Sequence, residues 1–387
     1  MAVTFLTGFE SAAAFVDGIY APVGTGSYST TQARTGTRSI RCNPASGSAG
    51  WVQVLSSQPG YHHFAAYFVT LPTVQRVFMG GATRTSLRIN ADATVSLYDG
   101  NSTLVGTSSV ALTTGQWYWF GVRTGNVAPS AVLLQIDGVD QVSGTTSSSA
   151  TYVDGYGWIS TEASAAECYI DDIIIDDAGF LAPSKVALLL PISDYSRDTL
   201  WTGGSGGITN LYDAVNNTPP VGSATESNTT QIEHAGGAAL TTDTYSPGMT
   251  TYTTAGVGAS DTVIAVQGVI VMGEDISTGT KLLSWGSTAN PTITGDTSID
   301  VSTGHGSGAV GTYSTGTDYW NERRSAIVTS PSVALGYGPS FQVSRPETAS
   351  RVASVCFMGV YVAWTPYVAP PVSMVFPPKV YPQLLPH

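Results

Sequence analysis

The sequence predicts an all-β protein with two β-sandwich domains and an extended proline-rich arm at its C-terminal end. Three observations carry this prediction. Short runs of β-branched and aromatic residues alternate with clusters of Gly, Asp, Ser and Thr, the pattern of strands joined by turns. Residues 173–175 are three consecutive isoleucines, and residues 366–387 contain seven prolines. We place the domains at residues 1–179 and 180–365, with the arm at 366–387.

In the first domain we predict a series of short strands and no helix of normal length. The strand signals, in order, are residues 3–9, 37–42, 61–71, 74–79, 86–90, 94–99, 115–122, 131–136, 156–160 and 169–175. Asp137 and Gly138, followed by Val139, form a strong hairpin signal, because Asp-Gly pairs favour tight turns between strands.

The last of these strands is flanked by two aspartate pairs. The isoleucine run at 173–175 does not alternate with polar residues, so we expect it to be covered on both faces. Asp171 and Asp172 precede it, and Asp176 and Asp177 follow it. Because Asp is depleted inside strands, we expect these pairs to mark the two ends of the strand.

Several motifs of this half resemble the concanavalin A-like or laminin G-like jelly roll. They are residues 8–10, 35–41, 67–68, 115–117 and 134–139, with residues 170–175 as the closing strand. The resemblance implies a jelly-roll sandwich. Some laminin G-like domains bind calcium through aspartates at a sandwich edge, and here Asp137, Asp140, Asp154 and Asp171 could supply oxygen ligands if their loops converge. The alternative is that these aspartates only form turns.

The second block is similar to structural proteins of tailed bacteriophage virions. The motifs are residues 186–194, 200–203, 211–215 with the prolines at 219–220, 243–246, 264–269 and 279–283. The resemblance, which spans about residues 5–290 in all, implies a virion-assembly domain. From the residues themselves we predict that 263–272 is a buried central strand, that 358–364 returns to pair in the same sheet, and that the Gly-rich run 303–316 is a loop.

The C-terminal arm combines prolines with large apolar side chains. Proline cannot donate a ladder hydrogen bond, so the arm can be neither an inner strand nor a helix. Its apolar residues include Tyr367, Phe376, Tyr381, Leu384 and Leu385. They either lie along their own second domain or dock on a neighbouring subunit, and we favour docking because a stiff extended segment loses little entropy on binding.

Composition excludes several function classes. Only 11% of the 387 residues are charged, and the net charge of −12 offers no electrostatic basis for binding nucleic acid. The longest apolar runs are too short to span a bilayer, and the N-terminus lacks the basic segment of a signal peptide, so we expect no membrane insertion and no export signal. Cys42, Cys168 and Cys356 are far apart in sequence without a CxxC, which favours buried reduced thiols over a disulfide framework or zinc site.

Carboxylate spacing argues against a glycosidase. Glycosidases need two carboxyl groups about 5–9.5 Å apart. Asp172 and Asp176 would share a strand face but lie about 13 Å apart, and adjacent aspartates point to opposite faces. We therefore assign no catalytic residue. His62 and His63, as strand neighbours, cannot chelate one metal together, and we expect one at the surface and one in the core. The run 117–119 could form a sugar-stacking platform, although core packing is favoured.

The function that the sequence favours is that of a non-enzymatic structural component of a tailed-phage virion, acting through contacts with capsid or tail subunits and expected to form a homo-oligomer. The alternative is a receptor adhesin that binds a host-surface glycan through loops of the first sandwich. A depolymerase would need convergent carboxylates, which the sequence does not display. We expect no cofactor other than calcium.

Overall fold

The computed structural model describes residues 3–10, 20–54, 60–80, 84–125, 129–146, 153, 155–197, 201–203, 209–215, 232–234, 243–275, 282–286, 299–300, 311–312, 318–324, 327–329, 335–336, 338–339, 342–345 and 353–368. The prediction of an all-β protein is confirmed. Within these ranges every strand pairing is antiparallel, and the one α-helix, α1, is Tyr212–Val215. No helix in the described ranges is long and apolar enough to cross a membrane.

The strands of the N-terminal half are Val3–Thr7 (β1), Tyr20–Gly24 (β2), Gly26–Ser29 (β3), Ser39–Cys42 (β4), Gly50–Val54 (β5), Tyr61–Thr70 (β6), Arg76–Gly80 (β7), Ser86–Ile89 (β8), Thr94–Tyr98 (β9), Leu104–Ala111 (β10), Trp117–Arg123 (β11), Ser130–Ile136 (β12), Val139–Thr146 (β13), Gly155–Trp158 (β14) and Glu167–Asp176 (β15).

The strands of the C-terminal half are Lys185–Leu189 (β16), Pro191–Arg197 (β17), Trp201–Gly203 (β18), Ile232–His234 (β19), Asp243–Met249 (β20), Thr262–Asp275 (β21), Leu282–Gly286 (β22), Ile299–Asp300 (β23), Gly311–Thr312 (β24), Asp318–Arg324 (β25), Val328–Thr329 (β26), Gln342–Arg345 (β27) and Ala353–Thr365 (β28).

Two sheets from the first half face each other. Sheet 1 has the order β13-β12-β11-β6-β15-β4-β3, with β1 added on β15, and sheet 2 has the order β10-β9-β8-β7-β14-β5-β2. The alternation of β6 shows how they pack: Phe64 and Phe68 point into the core between the sheets, whereas Ala65 points to the outer face of sheet 1. The predicted hairpin at Asp137 and Gly138 joins β12 to β13.

The closing strand β15 is covered on both faces, as predicted. Ile173 and Ile175 lie in the core of the first sandwich, and Ile174 lies in a second apolar layer outside sheet 1. The expectation that Asp171 and Asp172 end the strand is wrong, because β15 begins at Glu167. A bulge at this point accommodates the pair: the register against β6 shifts between residues 171 and 174, and Asp172 has φ 49°.

Two further sheets come from residues 185–365. Sheet 3 has the order β18-β19-β28-β21-β25-β24, with β16 on β28 and β26 on β21, and sheet 4 has the order β17-β20-β27-β22-β23. The predicted central strand is confirmed as β21, and the predicted return strand is confirmed as β28, its neighbour. Their inward side chains, including Val266, Met358 and Trp364, form a core with Tyr245 of β20. The Gly-rich run predicted as a loop contains a two-residue strand, β24, which pairs with β25.

The two sheet pairs are stacked through the outer faces of sheets 1 and 3. Leu6, Trp119 and Ile174 of sheet 1 share an apolar cluster with Phe357 and Tyr361 of β28. The described part of the chain is therefore a stack of four sheets with three apolar layers between them. The domain division at residue 179 remains a prediction, and the arm beyond Val368 lies outside the described residues.

Candidate functional site

An open groove lies on the outer face of sheet 1, beside the part that sheet 3 covers. It has a volume of about 380 Å³, and its lining residues are Thr31, Gln32, Tyr67, Val69, Thr114, Gly115, Glu167 and Tyr169. We call it the aromatic groove. Trp119 and Ala65 occupy the next row of this face and are buried under sheet 3, which explains why the groove begins where it does.

Register between strands places aromatic side chains in one row at the groove. Tyr67 of β6 is the direct cross-strand partner of both Trp117 of β11 and Tyr169 of β15. The ring centroid of Tyr67 lies 5.6 Å from that of Trp117 and 6.3 Å from that of Tyr169. Tyr67 and Trp117 are half-buried, so their rings are supported by neighbours and still reach solvent.

A charged pair continues the row. Arg41 of β4 is the cross-strand partner of Tyr169, and its Nε donates a hydrogen bond of 2.7 Å to Oε1 of Glu167. The side chain of Arg41 is 42% exposed and that of Glu167 is 16% exposed. The hydrogen bond to Glu167 raises the pKa of Arg41. The pair places a fixed cation and a fixed carboxylate beside the aromatic rings, and its exposure keeps its own contribution to stability small.

Loop residues form the two ends of the groove and are held by hydrogen bonds. The backbone N–H of Gly115, which has φ 85°, donates to the carbonyl of Phe68 at 2.9 Å. On the other side, the N–H of Thr31 donates to Ser29 Oγ at 3.2 Å, and the hydroxyl of Ser39 donates to the carbonyl of Gln32. Because both loops are tied to strands, the groove is preformed.

The chemistry of the groove suits a polyhydroxylated ring. Such a ligand has apolar C–H faces, which pack on aromatic rings, and hydroxyl edges, which pair with carboxylate, guanidinium, amide and phenol groups. The hydroxyl of the half-buried Tyr67 has no hydrogen-bond partner among the described residues, so it can pair with a ligand, whereas Tyr169 is only 4% exposed and supports the row from behind. A few placed polar groups on an aromatic surface are the usual composition of a small-molecule site.

The aspartates of β15 are engaged in structural bonds. Asp172 Oδ2 accepts from Arg34 and from the Thr35 hydroxyl, and its Oδ1 accepts from the N–H of Val186 at 2.8 Å. Asp171 accepts from the backbone N–H groups of Arg34 and Asp172, both at 2.8 Å. Burial raises the pKa of both carboxyls. Asp176 Oδ1 accepts from two N–H groups of the following turn. The geometry offers these groups no route to a substrate.

Both histidines are buried, so the expectation that one lies at the surface is wrong. His62 Nδ1 lies 2.7 Å from the hydroxyl of Tyr156 in the first core. His63, on the other face, stacks on Trp119, and its Nε2 accepts from the N–H of Leu181 at 3.0 Å. The chain after β15 covers this face. Burial lowers the pKa of His63 to about 3.

The run 117–119 is divided among three environments. Tyr118 lies in the first core, Trp119 lies under sheet 3, and the half-buried Trp117 lies beside Tyr67 and packs against the edge of the layer under sheet 3. Core packing therefore holds for two of the three side chains. The sequence analysis did not single out Arg41, Glu167 or Tyr169 as site residues. The alternation of each strand predicts which face these residues occupy. The sequence around them does not indicate which strands pair, and that pairing is what brings the three residues together.

The calcium candidates are placed as follows. Asp137 Oδ1 accepts from the N–H of Trp119 at 2.8 Å, Asp140 Oδ1 accepts from the Gln135 amide at 2.7 Å, and Asp171 is buried in β15. Asp154 lies outside the described residues. Within the described ranges no three His, Cys, Asp or Glu side chains cluster as metal ligands. A calcium site remains a prediction.

Of the predicted arm contacts, the structure describes only Tyr367. Its N–H donates to Asp261 Oδ1 at 2.8 Å, and its side chain is 59% exposed. Phe376, Tyr381, Leu384 and Leu385 lie outside the described residues, so the docking of the arm stays a prediction.

Comparison with known proteins gives structural neighbours only. No protein-family model and no curated protein matches the chain. Domain 4 of an extracellular arabinanase from Geobacillus stearothermophilus, in complex with arabinotriose, is 18% identical, with 45% of this chain and 94% of that chain covered and a TM-score of 0.30. A cellulose induced protein is 16% identical, with 45% and 100% covered and a TM-score of 0.35. A carbohydrate esterase from Shiga toxin-encoding bacteriophage phi24B is 13% identical, with 42% and 97% covered and a TM-score of 0.31. Similarities this low carry no conclusion about activity or ligand.

Proposed function

We propose that this chain is a non-enzymatic glycan-binding protein and that the aromatic groove is its binding site. The observation that carries the proposal is the row formed by Trp117, Tyr67 and Tyr169, which ends in the Arg41–Glu167 pair on the outer face of sheet 1. Apolar rings beside fixed donors and acceptors are what a sugar ring requires. This was the alternative function in the sequence analysis, where loops of the first sandwich were expected to bind the glycan; in the present proposal a sheet face and two loops act together.

The resemblance to tailed-phage virion proteins supports a location for this glycan-binding activity on a virion. We propose that the protein is displayed on a virion, where it would bind host-surface glycan as a receptor adhesin. The test of binding is a glycan array of bacterial surface polysaccharides and neutral oligosaccharides, probed with the purified chain and with a groove variant. Equal signals for the two proteins would reject the groove as the site.

A role in virion assembly is the second candidate function. Tyr367 and Val368, where the described chain ends, are 59% and 83% exposed, and the predicted arm begins there. Large apolar side chains at the start of a proline-rich segment suit docking on a neighbouring subunit. Truncation after Val368 keeps the bond between Tyr367 and Asp261, so we expect normal folding but loss of the oligomer or of incorporation into particles. Wild-type assembly of the truncated chain would reject this role.

A further inference from the structure

Two of the three cysteines, far apart in sequence, become direct neighbours on adjacent strands of sheet 1. Cys42 of β4 and Cys168 of β15 are opposed cross-strand partners, so their side chains leave the sheet side by side on the same face. Both side chains are 0% exposed and point into the core of the first sandwich. Opposed residues of an antiparallel pair have Cα atoms about 4.5–5.5 Å apart, within the range of about 4.4–6.8 Å that a disulfide spans.

We propose that Cys42 and Cys168 are a covalent modification site, forming a cross-strand disulfide when the chain folds in the presence of a small-molecule disulfide such as oxidised glutathione. One thiolate attacks glutathione disulfide and releases one reduced glutathione, which leaves a mixed disulfide on the protein. The second thiol then attacks the mixed disulfide and releases a second reduced glutathione. Two electrons and two protons pass from the protein to glutathione, and one S–S bond replaces two S–H bonds.

Burial decides when this reaction occurs. Burial, with the neighbouring thiol of Cys42, raises the pKa of Cys168 well above its ordinary value, so the folded protein holds little of the reactive thiolate. Reagents also have no path to side chains with no exposed surface. The bond therefore forms while the sandwich is still assembling, and once the fold has closed it is shielded from reductants.

The disulfide would cross-link the two strands that form the base of the aromatic groove. Arg41 and Tyr169, the next cross-strand pair along, point to the outer face directly behind the two cysteines. A disulfide here ties β4 to the closing strand across more than 100 residues of chain, a separation at which cross-linking removes much of the entropy of the unfolded state. This inference does not depend on what the groove binds.

The test is peptide mapping after refolding. The chain is unfolded with reductant, refolded either with oxidised glutathione or with reduced thiol, alkylated under denaturing conditions and digested with trypsin. The three cysteines fall in separate peptides, residues 42–76, 124–185 and 352–379. We expect the oxidised sample to contain peptides 42–76 and 124–185 joined, with 352–379 alkylated, and the reduced sample to have all three alkylated. Folded reduced protein exposed to oxidised glutathione should cross-link far more slowly.

Matched variants and stability complete the test. Cys356→Ala should retain the link, whereas Cys42→Ala and Cys168→Ala should lose it. The oxidised wild type should unfold at a temperature about 5 °C or more above that of the reduced protein. Three alkylated peptides after oxidative refolding, or a link that includes Cys356, would overturn the proposal. Equal unfolding temperatures with the link present would overturn its stabilising role.

Discussion

Arg34 and Asp172 form an ion pair, with a distance of 2.7 Å from the guanidinium to Oδ2, at the junction of the two sheet pairs. The same guanidinium donates to the carbonyl of Ser184 and lies 5.0 Å from the ring centroid of Trp119. The other oxygen of Asp172 accepts from the N–H of Val186. One carboxylate thus joins the closing strand of the first sandwich to the loop before β4 and to the first strand of sheet 3.

The first prediction concerns this ion pair. Arg34→Met should lower the free energy of unfolding by about 3 kcal/mol, because it leaves the buried carboxylate of Asp172 without its cation. The double variant Arg34→Met with Asp172→Asn should be more stable than Arg34→Met alone, since the unpaired charge is gone and Asn tolerates the positive φ of this position. Urea unfolding measures both. A double variant less stable than Arg34→Met would contradict the prediction. It would mean that losing hydrogen bonds accepted by Asp172 costs more stability than removing its unpaired charge restores.

The second prediction concerns acid sensitivity through His63. The pKa of His63 in the folded protein is about 3, below its ordinary value of 6.5. Between these two pH values the imidazole is therefore protonated in the unfolded chain but neutral in the folded chain. Stability from this residue is complete above pH 6.5 and is lost as the pH falls towards 3, by about 2 kcal/mol between pH 6.5 and 5. His63→Gln cannot ionise, and its side-chain oxygen can still accept from Leu181. Its stability should therefore fall less steeply over this range in urea unfolding. Parallel curves for the two proteins would contradict the prediction.

Local signals allowed much of the fold to be predicted. The hairpin at Asp137 and Gly138 depends on neighbouring residues, and the double coverage of 173–175 follows from an apolar run that cannot alternate. The burial of both His62 and His63 could not be predicted in this way. It depends on sheet 3 and the chain at Phe180 and Leu181 covering the outer face of sheet 1, and no pattern within β6 encodes that coverage.

The residues of the aromatic groove and the cysteine pair could not be predicted from the sequence for a related reason. Cross-strand register sets both the row of Tyr67, Tyr169 and Arg41 and the pairing of Cys42 with Cys168. Register is decided by pairings between strands that are distant in sequence, so residue types and spacing leave it open. The bulge at Asp171 and Asp172 was missed because an aspartate pair normally ends a strand, whereas here Arg34 and Thr35 satisfy it inside one.

The third prediction concerns the fragment 1–179. Its core is closed by its own two sheets, so we expect it to fold with a β-type circular dichroism spectrum. It loses the cover over Leu6, Trp119 and Ile174, however, and the exposed apolar face should make it self-associate. Light scattering after gel filtration measures its mass. The same fragment with Trp119→Lys should shift towards monomer, and a monomeric wild-type fragment would contradict the importance of this layer.

The fourth prediction concerns the aromatic groove. Tyr67→Ala should weaken binding to any glycan identified on the array by about tenfold or more, because it removes the ring at the centre of the row, where truncations have their largest effect. Glu167→Gln keeps the shape of the side chain but removes the charge that holds Arg41, so it should weaken binding by a smaller factor. Titration calorimetry with the best array ligand measures both.

The matched control for the groove is Tyr98→Ala. Tyr98 also lies on an outer sheet face, but on sheet 2, with the Arg88 guanidinium 3.8 Å from its ring centroid. A fold-level or nonspecific effect of removing a half-buried tyrosine would appear in both variants, whereas a site on sheet 1 predicts unchanged affinity for Tyr98→Ala and loss for Tyr67→Ala. Unfolding temperatures close to that of the wild type are required of both, since Tyr67 is half-buried. If Tyr98→Ala loses binding and Tyr67→Ala does not, the glycan site lies on sheet 2 and the aromatic groove is not the binding surface.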